Sequence, residues 1–180
     1  MKKILVFLML GVLTLASCHK AQPVVKELNV EQITNSNKQD MNTKYSKYRW
    51  YETCVVLKDF MDEECDGTVE SVSNVFQVVS ENGSDVHVIM YNTTLDSMEI
   101  DVKHGFWVED FPLDSVKISF KEAFKLMNEV NLPKPHSRHV VLREEIGPNE
   151  INPQWIFGNI DAQIYVDAIT GNVTDEDPAF

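Results

Sequence analysis

The sequence predicts an α+β fold, an antiparallel β-sheet packed by one or two helices. Three observations predict it: one strongly amphipathic helical segment near residues 119 to 130, several apolar runs of two-residue period, and short turn-rich spacers between those runs. Parallel strands need crossovers of a dozen or more residues, so short spacers favour antiparallel pairing. The 180 residues are 43% hydrophobic and 24% charged, an ordinary globular composition, and the length fits one domain. Sixteen Lys and Arg against 28 Asp and Glu give a net charge of −12. A duplex-DNA or RNA binder needs basic surface to displace counterions, so nucleic acid is not an expected partner.

From the N-terminus, Lys2 and Lys3 precede an apolar run over residues 4 to 16. This is the pattern of an export signal, too brief to span a bilayer. The run ends in Leu15-Ala16-Ser17-Cys18, which resembles the lipobox of bacterial lipoproteins. The resemblance implies cleavage after residue 17 and acylation of the Cys18 thiol. Loss of Lys2 and Lys3 takes the net charge from −12 to −14, so attachment has to come from acyl chains rather than anionic headgroups. His19 and Lys20 follow the cysteine, without the Asp of the inner-membrane retention signal. A lipid-anchored envelope location at the outer membrane is therefore expected. Residues 18 to 44 have no aromatic and only scattered apolar positions, and read as the lipidated N-terminus and a flexible tether.

A single α+β domain is expected over residues 45 to 180. Residues 48 to 57 are aromatic and β-branched and favour a strand over a helix. Residues 72 to 79 and 86 to 91 are further strands. Met98, Ile100 and Val102 alternate with Glu99, Asp101 and Lys103, the mark of a half-buried strand. In the helix, Phe120, Ala123, Phe124, Met127 and Val130 form one stripe, and Ser119 with Glu122 forms a capping box. Val140 with Leu142, residues 155 to 157 and residues 164 to 169 complete the β runs. A shift of 66 residues superposes Ile89-Met90-Tyr91 on Trp155-Ile156-Phe157 and Asp101 on Asp167. It leaves a duplication and a chance likeness of hairpins both open.

The segment Gln163-Ile164-Tyr165-Val166-Asp167-Ala168-Ile169-Thr170-Gly171-Asn172-Val173, with Trp155 and a helix upstream, is similar to the end of a PepSY-type domain. The likeness covers about residues 117 to 175. Asp167 and Thr170 suit a turn backbone that Gly171 closes with positive φ. The resemblance implies a helix on a small antiparallel sheet, one or two αβββ repeats, and a non-catalytic envelope module that binds proteins and in some cases restrains peptidases.

Other chemistry is thin. His136 and His139 lie three apart on an extended segment and point to opposite faces, so no metal site is expected. The acidic residues around Cys65 lack calcium-loop spacing. Cys54 and Cys65, in an oxidising compartment, are candidates for a disulfide. No nucleophile elbow, phosphate loop or zinc-protease helix is present, and no enzyme or cofactor is expected. Trp50 and Trp107 are candidates for a binding surface. The function expected is a membrane-anchored module that engages an envelope protein or peptide through its sheet or an exposed strand edge. The alternative is a carbohydrate-binding accessory lipoprotein, resting on the two tryptophans.

Overall fold

In the computed structural model, residues 27–78, 86–104 and 110–180 are described. Their elements run α1 (Val30–Lys44), β1 (Tyr48–Leu57), β2 (Val69–Val78), β3 (Val86–Asn92), β4 (Glu99–His104), β5 (Asp110–Phe111), α2 (Phe120–Glu129), β6 (His139–Glu145), β7 (Gln154–Asn159), β8 (Ala162–Asp167) and β9 (Val173–Thr174). The α+β class is as the sequence predicts: one antiparallel sheet in the order β4-β3-β2-β1-β6-β7-β8-β9, with β5 beside β6. The lipobox, Cys18 and Trp107 lie outside the described residues.

The element order repeats. A helix followed by β1, β2, β3 and β4 is matched by a helix followed by β6, β7, β8 and β9, and the halves join where β1 pairs with β6. The starts of α1 and α2 lie 90 residues apart and those of β1 and β6 lie 91 apart. The 66-residue shift is therefore not the register of this repeat. It lays β3 on β7, whereas sheet order makes β3 the counterpart of β8. The stretch it lays under α2, residues 54 to 63, is no helix: it begins in β1, a strand from Tyr48 to Leu57 as the aromatic and β-branched run predicts, and continues into turns.

Both helices cover one face. Around α2, Ser119 accepts from the Glu122 amide at 3.2 Å as its capping box requires. Phe120 meets Trp155 edge-on at 5.6 Å and Phe124 meets Phe157 at 6.2 Å. With Val55, Leu57, Val72, Val140, Leu142 and Ile164 these residues build the main core, and each fully buried Leu or Phe contributes about 1.5–3 kcal/mol by leaving water.

The flexible tether has to be corrected. The chain joins the fold at Leu28, which is buried, and residues 30 to 44 are α1, capped where Asn29 accepts from the Gln32 amide at 2.8 Å. Its buried stripe is Val30, Ile33, Thr34, Asn37 and Met41. That spacing is helical, but two of the five side chains are polar. They find partners far along the chain. Asn37 Nδ2 donates to Asn74 Oδ1 at 2.8 Å and Asn92 Oδ1 at 3.0 Å. Asn74 Nδ2 donates to Thr34 Oγ1 at 3.0 Å and Thr53 Oγ1 at 2.6 Å. The cluster ties α1 to β1, β2 and β3. Buried and satisfied, it adds little net stability over apolar packing, yet it is costly to break because each orphaned group loses about 1–3 kcal/mol.

Asn74→Ala should therefore destabilise the fold by about 3 kcal/mol, since it strands partners on α1 and β1. Urea unfolding checks this against Thr43→Ala on the exposed side of α1, which should change stability by less than about 0.5 kcal/mol.

Candidate functional site: the β4 edge and the cleft beside α1

The alternation over residues 98 to 103 forms the expected strand, but not a half-buried one. β4 is outermost in the sheet and all six of its residues are exposed. The register explains why. Ile100 and Val102 pair with Met90 and Val88 and so share the helix-bearing face. α1, however, lies over β1 and β2, and its Met41 reaches Val88 and Met90 but not beyond. Ile100 and Val102 remain 43% and 45% exposed. Glu99, Asp101 and Lys103 pair with Tyr91, Ile89 and His87 on the other face, where Lys103 and Asp101 sit 3.5 Å apart. An open strand edge carries unpaired backbone donors and acceptors, and proteins normally blunt it with proline, bulges, shortness or charged side chains; of these β4 has the charges Glu99, Asp101 and Lys103 on one face. β4 has no proline and pairs with β3 residue for residue from Glu99 to His104. At the opposite end β9 is only two residues long. β4 is thus an unbulged outer strand with Ile100 and Val102 on one face and Glu99, Asp101 and Lys103 on the other.

The second concavity lies between α1 and residues 114 to 119. It is a cleft of about 280 Å³ floored by Trp50, Thr53, Leu142 and Trp155. Its walls are bonded to one another. Glu31 Oε1 accepts the Phe120 amide at 2.6 Å, joining α1 to the start of α2. Trp155 Nε1 donates to the Ile118 carbonyl at 2.9 Å. Trp50 Nε1 donates to the Glu52 carbonyl at 3.1 Å and to Thr53 Oγ1 at 3.2 Å. Lys38 Nζ stands 3.3 Å over the centre of the Trp50 ring, a cation–π contact. Burial pushes the Lys38 amine down to about 8. Trp50 is therefore a half-buried ring with a lysine on its face, not an open platform, and Trp107 lies outside the described residues.

The remaining candidates separate. Thr53, Val55 and Leu57 point to the helix layer, so Cys54 projects from the opposite face, where its thiol donates to Glu52 Oε1 at 2.8 Å. Cys65 packs against the core on the helix side. With the sheet between them both are free, and the candidate disulfide is absent. Burial first, then the Glu52 carboxylate, push the Cys54 thiol far above its ordinary value, the reverse of an activated nucleophile. His136 Nδ1 meets Asp62 at 2.9 Å and its ring stacks on Phe60 at 4.3 Å. Among the described residues no hydroxyl or thiol hydrogen-bonds that ring, and no three metal-ligating side chains converge.

The closing hairpin has the turn its sequence calls for. Asp167 Oδ1 accepts from the Ile169 and Thr170 amides, both at 2.8 Å. Thr170 Oγ1 accepts from Asn172 at 3.3 Å, and Gly171 has φ +79°. Burial works to raise the Asp167 carboxyl, but hydrogen bonds from Asn152, Thr170 and Ile169 outweigh it and hold the group below the usual carboxylate range. These residues shape a turn. Sequence reasoning missed Ile100, Val102 and Lys38. Period two cannot distinguish an edge strand from a half-buried one, and Lys38 sat in the supposed tether.

Comparison with protein-family models, with curated proteins and with solved structures finds no match to this chain.

Alkylation of the unfolded mature chain without reductant should modify both Cys54 and Cys65, checked by peptide mass; a peptide pair joined through sulfur would contradict it. For Lys38, burial favours the neutral amine in the folded state. Between about pH 8 and its ordinary 10.5 the unfolded chain holds a proton that the folded chain lacks, so this residue's contribution to stability rises with pH there. The urea midpoint of the native protein should gain on that of Lys38→Met between pH 7 and about pH 9.5. A gap that ignores pH would contradict the placement of Lys38.

Proposed function

We propose that this chain is a non-catalytic, lipid-anchored binding module of the bacterial envelope, acylated at Cys18, that takes an extended strand of an envelope protein onto β4. The single observation that carries this reading is the outer strand itself: six exposed residues, unbulged, with Ile100 and Val102 uncovered. Strand addition draws affinity from main-chain hydrogen bonds and selectivity from alternate side chains. On β4 the alternate positions offer apolar contacts on one face and Glu99, Asp101 and Lys103 on the other.

The wording of the closing hairpin supports a PepSY-like relationship, and with it a peptidase as one kind of partner. The residues after Cys18 support the outer membrane. With α1 in the fold, nine residues, 19 to 27, separate the acylated cysteine from buried Leu28, ten steps along the chain. Even fully extended, they span about 35 Å, so the module works close to the bilayer. Of the two tryptophans on which the carbohydrate alternative rests, Trp50 carries Lys38 over one ring face and Trp107 lies outside the described residues.

A photo-crosslinking side chain placed at Ile100 in the acylated, membrane-bound protein should give a discrete protein adduct. The same group at Ile160, 96% exposed in the β7–β8 turn, should give none. Cys18→Ser should release the chain from the membrane and abolish the adduct. Equal labelling from Ile100 and Ile160 would overturn the edge as the recognition surface.

A further inference from the structure

We infer that the strand received by β4 is β4 of a second copy of this chain, paired antiparallel about a dyad at Val102. The inference rests on the reading of β4 as a recognition edge and names the partner. Across an antiparallel pair, opposed residues share a face of the sheet. In β4 the residues Glu99, Asp101 and Lys103 occupy one face and Ile100, Val102 and His104 the other. A symmetric pair must therefore place some residue opposite its own copy; an offset between residues would oppose the two faces.

Four central residues bring the charged positions into register, and charge separates them. A dyad at Ile100 sets Glu99 against Asp101 twice. One at Asp101 opposes Glu99 to Lys103 twice but also sets the Asp101 carboxylate against itself, and one at Lys103 sets two ammonium groups together, so each of these three registers opposes like charges. Only the dyad at Val102 opposes Asp101 to Lys103, twice, with Val102 against Val102 and Ile100 against His104. Like charges directly opposite destabilise a pair and unlike charges stabilise it. In this register Ile100 and Val102 also gain cover on the face that α1 leaves open.

The symmetry suits a membrane. A dyad that relates antiparallel neighbours within one sheet runs normal to it, so both helix layers lie on the same side. The chain enters each copy through Leu28 and Asn29 at the start of α1 in that layer, so the two entry points lie on the same side of the dimer. Two acylated cysteines can then enter one bilayer, which raises the effective concentration of one edge for the other. Growth stops at two, because the opposite edge is the two-residue β9 and an isologous contact closes on itself.

Cysteine crosslinking of the acylated protein in membranes tests the register. Val102→Cys should form a covalent dimer on mild oxidation. Ile100→Cys alone should not, since its copies would lie about 13 Å apart along the seam at 3.3 Å per residue, but Ile100→Cys mixed with His104→Cys should crosslink. Adding Asp101→Lys to Val102→Cys should slow dimer formation by about tenfold, and adding Lys103→Asp as well should restore it to within about twofold. A Val102→Cys chain that crosslinks no faster than Ile160→Cys, or is indifferent to Asp101→Lys, overturns self-pairing. If Ile100 still captures a different protein by photo-crosslinking in that case, the edge remains a recognition surface and only the second copy is excluded; if it captures nothing, both readings fall.

Discussion

A sheet built from two halves joined through their inner strands keeps two outer edges, and everything distinctive about this chain follows from how unequally it treats them. Joining β1 to β6 places four strands on either side of the seam. In the second half the outermost strand has shrunk to Val173–Thr174 and the chain turns away. In the first half the outermost strand keeps six residues in unbroken register with β3. Backbone hydrogen-bonding groups along such an edge are satisfied by water or by another strand. A long edge with aliphatic side chains on one face favours the strand.

The first half's exposure is set by the position of α1, and α1 is positioned by polar contacts more than by apolar ones. Asn37, Asn74, Asn92, Thr34 and Thr53 permit one arrangement of the helix on β1, β2 and β3. An apolar stripe alone tolerates sliding; an amide cluster does not, because each misplaced member is buried without a partner. The register so fixed carries Met41 to Val88 and Met90 and no farther. The uncovered state of Ile100 and Val102 thus follows from buried hydrogen bonds that hold α1 over β1, β2 and β3.

The sequence made α2 legible because its stripe is wholly apolar and its capping box is local: Ser119 and Glu122 lie within one turn. β1 was legible from its aromatic and β-branched residues, and the closing turn from Asp167, Thr170 and Gly171, whose bonds span three residues or fewer. α1 was hidden because Thr34 and Asn37 look like solvent-facing residues until partners 37 to 55 positions away are known. The two free cysteines are a topological matter of the same kind: eleven residues apart in sequence, they face opposite sides of one sheet. The alternation in β4 marks a strand but not its burial, because which neighbour covers its apolar face is a fact of tertiary structure. The candidate edge was legible as an element and not as a surface.

Amide hydrogen exchange of the acylated protein, compared between sparse and dense loading on membranes, examines the edge most directly. Pairing on β4 predicts that at dense loading the amides of Glu99–His104 gain protection, while those of Val173–Thr174 do not change. Unchanged exchange along β4, with protection arising elsewhere on the molecule, would contradict the account.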